Sequence, residues 1–308
     1  MHLTCGIRRV FQALVLAFGL YWSMSVISTR PQAGNANRQA AMRHESKKKR
    51  KWNMFDKRLI EIFLQKVPDL RNPWKAIMTV VYLLILGVAC GLFFYYIDRF
   101  AAFAAILSQL VMALVMLFIG YVHFNRAVEY REKYSKLAYR YLFYRWMIPY
   151  LVTWYACFFH PLFVDGKPLL PPWLATLMAI LLLAVTVLAN IHIERAGFFN
   201  VTHGMDIYTV FPEEATIVHG KIYGYIRHPL YFSLLSGSIG LALFRNNAVA
   251  LVVAFLQLIP ALAIGYMEDK ELIAREGEAH RSYIQNTSAL IPINRLGGFL
   301  RLLVFLDE

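Results

Sequence analysis

The sequence predicts an all-α fold, a polytopic transmembrane helical bundle, and three observations carry that prediction. The first is composition: 58% of the 308 residues are hydrophobic and only 17% are charged, whereas a water-soluble domain carries about 45–50% apolar and about 25% charged residues. Such a chain has too little polar surface to cover a soluble sphere, and it is too apolar to be intrinsically disordered. The second is the recurrence of apolar runs at Val10–Ile27, Ala76–Ile97, Ala101–Phe124, Met147–Val164, Trp173–Ile193, Leu230–Phe244 and Ala248–Met267. A hydrocarbon core about 30 Å thick takes about 20 helical residues, so about six to seven spans are expected. The third is the placement of positive charge. Residues 29–75 hold 13 Lys and Arg against four acids and residues 125–146 hold six against two, and these sums of +9 and +4 account for the whole net charge of +13.

Each element follows in order. Val10–Ile27, preceded by Arg8 and Arg9, reads as an uncleaved span or an interfacial helix over residues 1–28; cleaving it as a signal peptide would export the most basic part of the chain. Residues 29–75 form a basic cytoplasmic linker by the positive-inside rule, and Lys47–Lys51 beside Trp52 and Phe55 suits an anionic membrane surface. The expected partner of this charge is therefore the membrane, with no nucleic acid required. Residues 76–189 supply the N-terminal transmembrane helices. Alternation then places 125–146, 194–229 and 268–308 in the cytoplasm, and the neutral turns Asp98–Arg99 and Asp165–Pro172 on the opposite side. The expected location is integral to the membrane, multi-pass, with every loop long enough for chemistry on the cytoplasmic side. Met147–Val164 and Leu230–Phe244 are short, as helices are when they thin the bilayer, re-enter it or lie against protein near a site.

Several polar residues have plain structural readings. Cys5, Cys90 and Cys157 are far apart in apolar sequence and give neither a disulfide framework nor metal-ligand spacing. His123 and His160, at the ends of apolar helices, read as satisfied structural histidines. Ser233/Gly237 and Ser236/Gly240 are small-x-x-x-small pairs that allow close helix packing. Walker loops, Gly-x-Gly-x-x-Gly and zinc-ligand patterns are absent, so no metal is expected.

Polar chemistry concentrates in the last third of the chain. The loop after the fifth run contains His192, Glu194, His203, Asp206, Glu213, Glu214 and His219, then runs into Tyr223-Gly-Tyr-Ile-Arg-His-Pro-Leu-Tyr231. The last apolar run ends in Tyr266-Met-Glu-Asp-Lys-Glu-Leu272. Antiparallel helices joined by the turn Arg245–Asn247 would bring these two ends together. Pro229 suits the first turn of a helix and holds His228 just outside it, with Tyr231 following in the first turn. Glu268 and Asp269 would face them from the opposite helix. Taken singly, an Arg-His-Pro at an interface reads equally well as snorkelling and capping, and a Glu-Asp pair as a solvated helix end. Converging on one hairpin, aromatic faces and acids suit a cation or a nucleoside.

The run YGYIRHPLY, followed about forty residues on by EDKELIAREGEAHRSYIQNTSALIP, resembles the C-terminal signature of the integral-membrane methyltransferases, which include isoprenylcysteine carboxyl methyltransferases and phospholipid N-methyltransferases. The resemblance lies in Tyr223, Arg227, His228, Pro229 and Tyr231, in Glu268-Asp269 with Leu272, and in Gly277, Tyr283 and Ile291-Pro292. Asp269 replaces a usual Glu, Glu276 a usual Phe and His280 a usual Tyr, and Lys221 stands where a glycine is usual. The likeness covers about residues 190–293, which it implies are the catalytic region, with 294–308 as a tail. It further implies S-adenosylmethionine as cofactor, bound on the cytoplasmic side by the C-terminal helices and loops through Tyr223, Tyr225, His228, Pro229, Tyr231, Glu268 and Asp269. The acceptor it implies is a lipid or prenylated molecule entering from the bilayer. Arg227 would orient an acceptor carboxylate, while an amine acceptor would need a base, His228 or Glu268. The expected activity is thus most like isoprenylcysteine carboxyl O-methylation, with phospholipid amine N-methylation as the alternative. Membrane sterol or steroid reductases using NADPH also carry an R-H-P-x-Y-like element. They are arginine-rich where this chain has Glu268–Glu271, and a 2′-phosphorylated cofactor wants arginines.

Overall fold

Asn72-Pro73 opens the first long helix, the asparagine side chain accepting from the backbone N–H of Trp74 (3.0 Å) and Lys75 (3.3 Å) while proline takes the first helical position. The computed structural model describes residues 57–101, 103–196, 207–214 and 220–306, apart from the side chains at 57–60, 194, 208 and 214. The expected helix at 1–28 and most of the basic linker, as well as His203, Asp206 and His219, lie outside the described residues. Leu59–Glu308 forms one unit. Every regular element among the described residues is helical: α1 Lys57–Lys66, α2 Pro73–Ile97, α3 Ala104–Tyr134, α4 Ala138–Leu142, α5 Ile148–Phe159, α6 Pro172–Arg195, α7 Ile207–Val210, α8 Pro229–Arg245, α9 Ala248–Phe255, α10 Leu258–Glu276, α11 Glu278–Asn286 and α12 Leu296–Leu303.

Among the described residues, four helical stretches are long and apolar enough to cross a membrane: Pro73–Ile97, Ala104–Phe163, Pro172–Ile193 and Ala248–Glu276. These stretches account for five of the seven apolar runs; Val10–Ile27 lies outside the described residues, and Leu230–Phe244 forms a helix too short to be among them. Ala104–Phe163 reverses at Ser135, whose φ of 49° breaks the helix, so that α3 and α5 lie antiparallel. Gln109 of α3 reaches the Cys157 carbonyl of α5, and Trp146 reaches the Tyr130 hydroxyl. The Leu230–Phe244 run is α8, only 17 residues long; at 1.5 Å per residue it falls a few ångströms short of the hydrocarbon core. The Ala248–Met267 run bends at Leu256–Gln257. There the bonds shorten to the i−3 pattern, and Gln257 turns its amide to the Cys157 carbonyl (3.1 Å) and to Ser238.

Two polar networks mark opposite ends of these antiparallel helices. At one end Asp98 pairs with His160 (2.7 Å) and accepts from Ser108 (2.6 Å), while Arg245 and Asn247 donate to the Val164 carbonyl, each at 2.9 Å. His160 also meets Gln109 (2.9 Å) and stacks on Phe94, a satisfied structural histidine as the sequence suggested. At the other end buried Asp69 accepts from Arg140 and Lys75, and Arg131 grips both oxygens of Glu213 (3.0 and 2.8 Å). The Arg140 guanidinium beside Asp69 holds that carboxyl below its usual range.

Small residues set the helix spacing that the site requires. A Cβ at Gly237 would lie 2.7 Å from the Phe158 ring and one at Gly240 3.1 Å from Leu183, so α8 lies closely against α5 and α6. Asn190 and Thr186 of α6 hydrogen-bond Ser233 (2.7 Å) and Ser236 (2.9 Å) across the same seam. The small-x-x-x-small pairs therefore serve packing. Gly120 of α3 admits Ile264 of α10. These contacts lock the 76–189 helices to the C-terminal ones, so the two predicted regions share one core.

Candidate functional site

His228 occupies the N-cap of α8 with φ −116° and ψ 64°, outside helical geometry as the following proline demands. The segment before it is clamped by the chain after α11. Arg227 and His228 donate backbone N–H groups to Ser288 (2.9 Å) and Ala289 (3.0 Å), and Ser288 donates back to the Tyr225 carbonyl (3.3 Å). Ile226 and Ser288 thus form a short parallel bridge. The Tyr283 hydroxyl, donating to the Tyr223 carbonyl at 2.7 Å, secures the same clamp from α11.

The side chains meet at the ends of α8 and α10. His228 Nδ1 lies 3.1 Å from Glu268 Oε2, and Nε2 lies 3.4 Å from Asp269 Oδ2, close enough for ion pairing but not aligned as a hydrogen bond. Tyr231 donates its hydroxyl to the other oxygen of Glu268. The His228 ring stacks on Tyr231, with centroids 5.5 Å apart, and Tyr231 stacks on Trp154 at 4.9 Å, so three parallel rings form a wall. Gly265, one helical turn before Asp269, makes room for the imidazole: a Cβ there would sit 3.1 Å from Nε2. Beyond Asp269 the polar chain continues, with His280 Nε2 3.2 Å from Asp269 Oδ1 and His280 Nδ1 3.8 Å from Glu276. Glu276, His280, Asp269, His228, Glu268 and Tyr231 thus form one nearly buried line.

Electrostatics fix the charge of its central member. Burial opposes the imidazolium, but Asp269 and Glu268 outweigh it and raise the His228 pKa from 6.5 to about 9. The paired carboxylates thus favour the protonated, donating form of His228. Burial pushes the Tyr223 hydroxyl well up and that of Tyr283 up to about 12, so both remain neutral donors.

Of the residues singled out in the sequence, the structure brings Arg227, His228, Pro229, Tyr231, Glu268 and Asp269 together. Arg227 is more confined than the sequence suggested. Its guanidinium bonds Asp269 Oδ2 (3.1 Å), the Ile284 carbonyl (3.1 Å) and the Thr287 carbonyl, joining α8, α10 and α11. Tyr225 lies apart from the ring wall, against Gly298 and Phe299 of α12. Tyr223 is buried in the Ile222, Ile226, Phe299 and Leu303 cluster. Two contributors escaped sequence reasoning, Trp154 and Gly265, and His280 entered it only as a departure from the signature's tyrosine. Gly265 and His280 left a signal, falling one turn before Asp269 and one turn after Glu276. Trp154, in the middle of an apolar run, left none. No cluster able to hold a metal occurs among the described residues.

Comparison with protein-family models, with curated proteins and with solved structures found no match to this chain.

Proposed function

We propose that the chain is a multi-pass membrane methyltransferase that uses S-adenosylmethionine to methylate a lipophilic acceptor on the cytoplasmic side. The observation that carries this reading is the convergence of His228, Tyr231, Glu268 and Asp269 on one hairpin, since these residues also carry the resemblance. The donor set fits the cofactor. His228 Nε2 is buried without an aligned hydrogen bond, two carboxylates stand beside it, and the stacked rings offer faces to a cation. Glu268, with a quarter of its side chain exposed, is the most open of these groups and suits a ribose diol or the sulfonium charge. Bound there, S-adenosylmethionine would supply an electrophilic methyl group for in-line displacement. The chain's own task is to position the acceptor and exclude water, and the ring wall of Trp154, Tyr231 and His228 serves both.

The acceptor follows from proton bookkeeping. A prenylcysteine carboxylate, the acceptor that the resemblance favours, is methylated without losing a proton. An amine must lose one; the two carboxylates beside His228 favour its charged form, which makes Glu268 the better-suited base of the two. Arg227 is already bound to three acceptors, so it orients a carboxylate only by exchanging one of them. This observation favours phospholipid amine methylation as the second reading. The four long apolar helices support the membrane setting, as do Trp74 and Trp173, largely exposed at helix starts where interfacial belts form.

The test is binding of labelled S-adenosylmethionine, against NADPH, to detergent-purified protein. The expected result is binding of the methyl donor, abolished in His228→Ala and Glu268→Ala. Tight NADPH binding without S-adenosylmethionine binding would overturn the reading in favour of a reductase.

A further inference from the structure

A second concave site lies at the reversal between α3 and α5, at the end of the bundle that holds the Asp69 and Glu213 ion pairs. It is an open cleft of about 310 Å³ lined by Tyr130, Tyr134, Arg140, Tyr141, Tyr144 and Arg145. Its walls are built rather than incidental. Tyr134 and Tyr141 stack at 4.0 Å, Tyr130 lies 5.5 Å from Tyr134, and the Arg140 guanidinium covers Tyr141 at 5.3 Å. The Tyr144 hydroxyl meets Thr79 (3.2 Å), and Tyr82 donates to the Tyr144 carbonyl. That carbonyl belongs to a π-helical turn, Phe143–Met147, which interrupts the helix between α4 and α5. Such turns re-aim side chains and recur at functional sites. Here the turn brings Tyr144 and Arg145 into the lining.

The chemistry of the lining selects an anion. It contains two guanidinium groups and four phenols and no carboxylate. Asp69 occupies only Nε of Arg140, and Arg145 pairs with no carboxylate among the described residues. The neighbouring chain is basic as well, residues 125–146 holding six Lys and Arg against two acids. A fork of five N–H donors matches a phosphate, and tyrosine hydroxyls add uncharged donors. Depth selects the source of that phosphate. α3 exposes apolar side chains at Leu114, Phe118 and Tyr121 along its length, and at the cleft itself Tyr141 and, close by in sequence, Leu137 are partly exposed. Aromatic and basic residues at such a boundary sit at headgroup level.

We propose that this cleft binds the phosphate of an anionic lipid headgroup, separately from the His228 site. The experiment is native mass spectrometry of the full chain in detergent, offered phosphatidic acid, phosphatidylcholine or inorganic phosphate. The expected result is retention of phosphatidic acid over phosphatidylcholine, reduced about tenfold by Arg145→Gln, which removes a charge-assisted bond. Tyr134→Leu, which leaves both charges in place, is expected to weaken retention as well. Arg126→Gln, on the same end but paired with Glu129, is expected to leave retention unchanged. Equal retention in Arg145→Gln, or an equal loss in Arg126→Gln, would overturn the proposal, as would displacement of the lipid by inorganic phosphate. Because the readout is lipid retention, it stands or falls independently of the methyltransferase reading.

Discussion

His228 is held from five directions: by Pro229 through the backbone, by Ser288 and Ala289 through the clamp, by Glu268 and Asp269 through charge, by Tyr231 through stacking and by Gly265 through contact. Adding one methyl group in Gly265→Ala presses on the imidazole at 3.1 Å and is expected to cost about 1–3 kcal/mol. Weakened S-adenosylmethionine binding with a retained helical spectrum is the expected outcome; unchanged binding would show that the ring can move. Arg227→Ala breaks a nearly buried ion pair and strips two carbonyls of their donor. A loss of about 3–5 kcal/mol in unfolding free energy is expected, read by denaturation in detergent. Arg227→Lys rescues little, because a point charge cannot serve three acceptors in different directions. The charge of His228 gives a pH signature. Its pKa is raised on folding, so its stabilisation is complete below about 6.5 and is lost as pH rises through about 9. The thermal midpoint of the unsubstituted chain should fall across that window, while that of His228→Gln should lack this descent.

At the scale of elements, the short helix α8 matters more than its length suggests. It lies against α6 through Ser233, Ser236 and Gly240, against α5 through Gly237, and presents His228 and Tyr231 at its start. Gly237→Leu has no space beside Phe158 and is expected to lower the melting temperature and to abolish ligand binding with it; a stable variant would contradict the packing described. Much of this element was legible in the sequence. Pro229 fixed the helix start and kept His228 outside it, the turn at Arg245–Asn247 implied the hairpin, and small residues four apart implied the seam. What escaped the sequence depends on contacts between distant segments. The commitment of Arg227 to Ile284 and Thr287, the stacking of Trp154 and the divergence of Tyr225 toward α12 leave no periodic trace. Hydropathy records apolar runs without recording where a helix reverses, as at Ser135, or bends, as at Gln257.

At the scale of the whole unit, the helices carry polar networks at both ends and apolar side chains between them, an arrangement suited to a bilayer. Residues long separated in sequence share each end: Asp69, Arg140 and Glu213 at one, Asp98, His160 and Asn247 at the other. The proposed topology places them on opposite sides. Single cysteines at exposed Lys136 and Lys167 test it, with an impermeant reagent expected to reach Lys167→Cys from outside intact cells and Lys136→Cys only after permeabilisation. The opposite pattern would invert the orientation and move the His228 site out of reach of a cytoplasmic methyl donor. The most direct measurement of the central claim is transfer of the labelled methyl group of S-adenosylmethionine into the organic-extractable fraction of membranes containing the protein. We predict transfer with the unsubstituted chain and none with His228→Ala or Glu268→Ala. Base-labile label would identify an ester and base-stable label an amine. Label that never enters the lipid fraction, or that enters it equally with His228→Ala, would contradict the account.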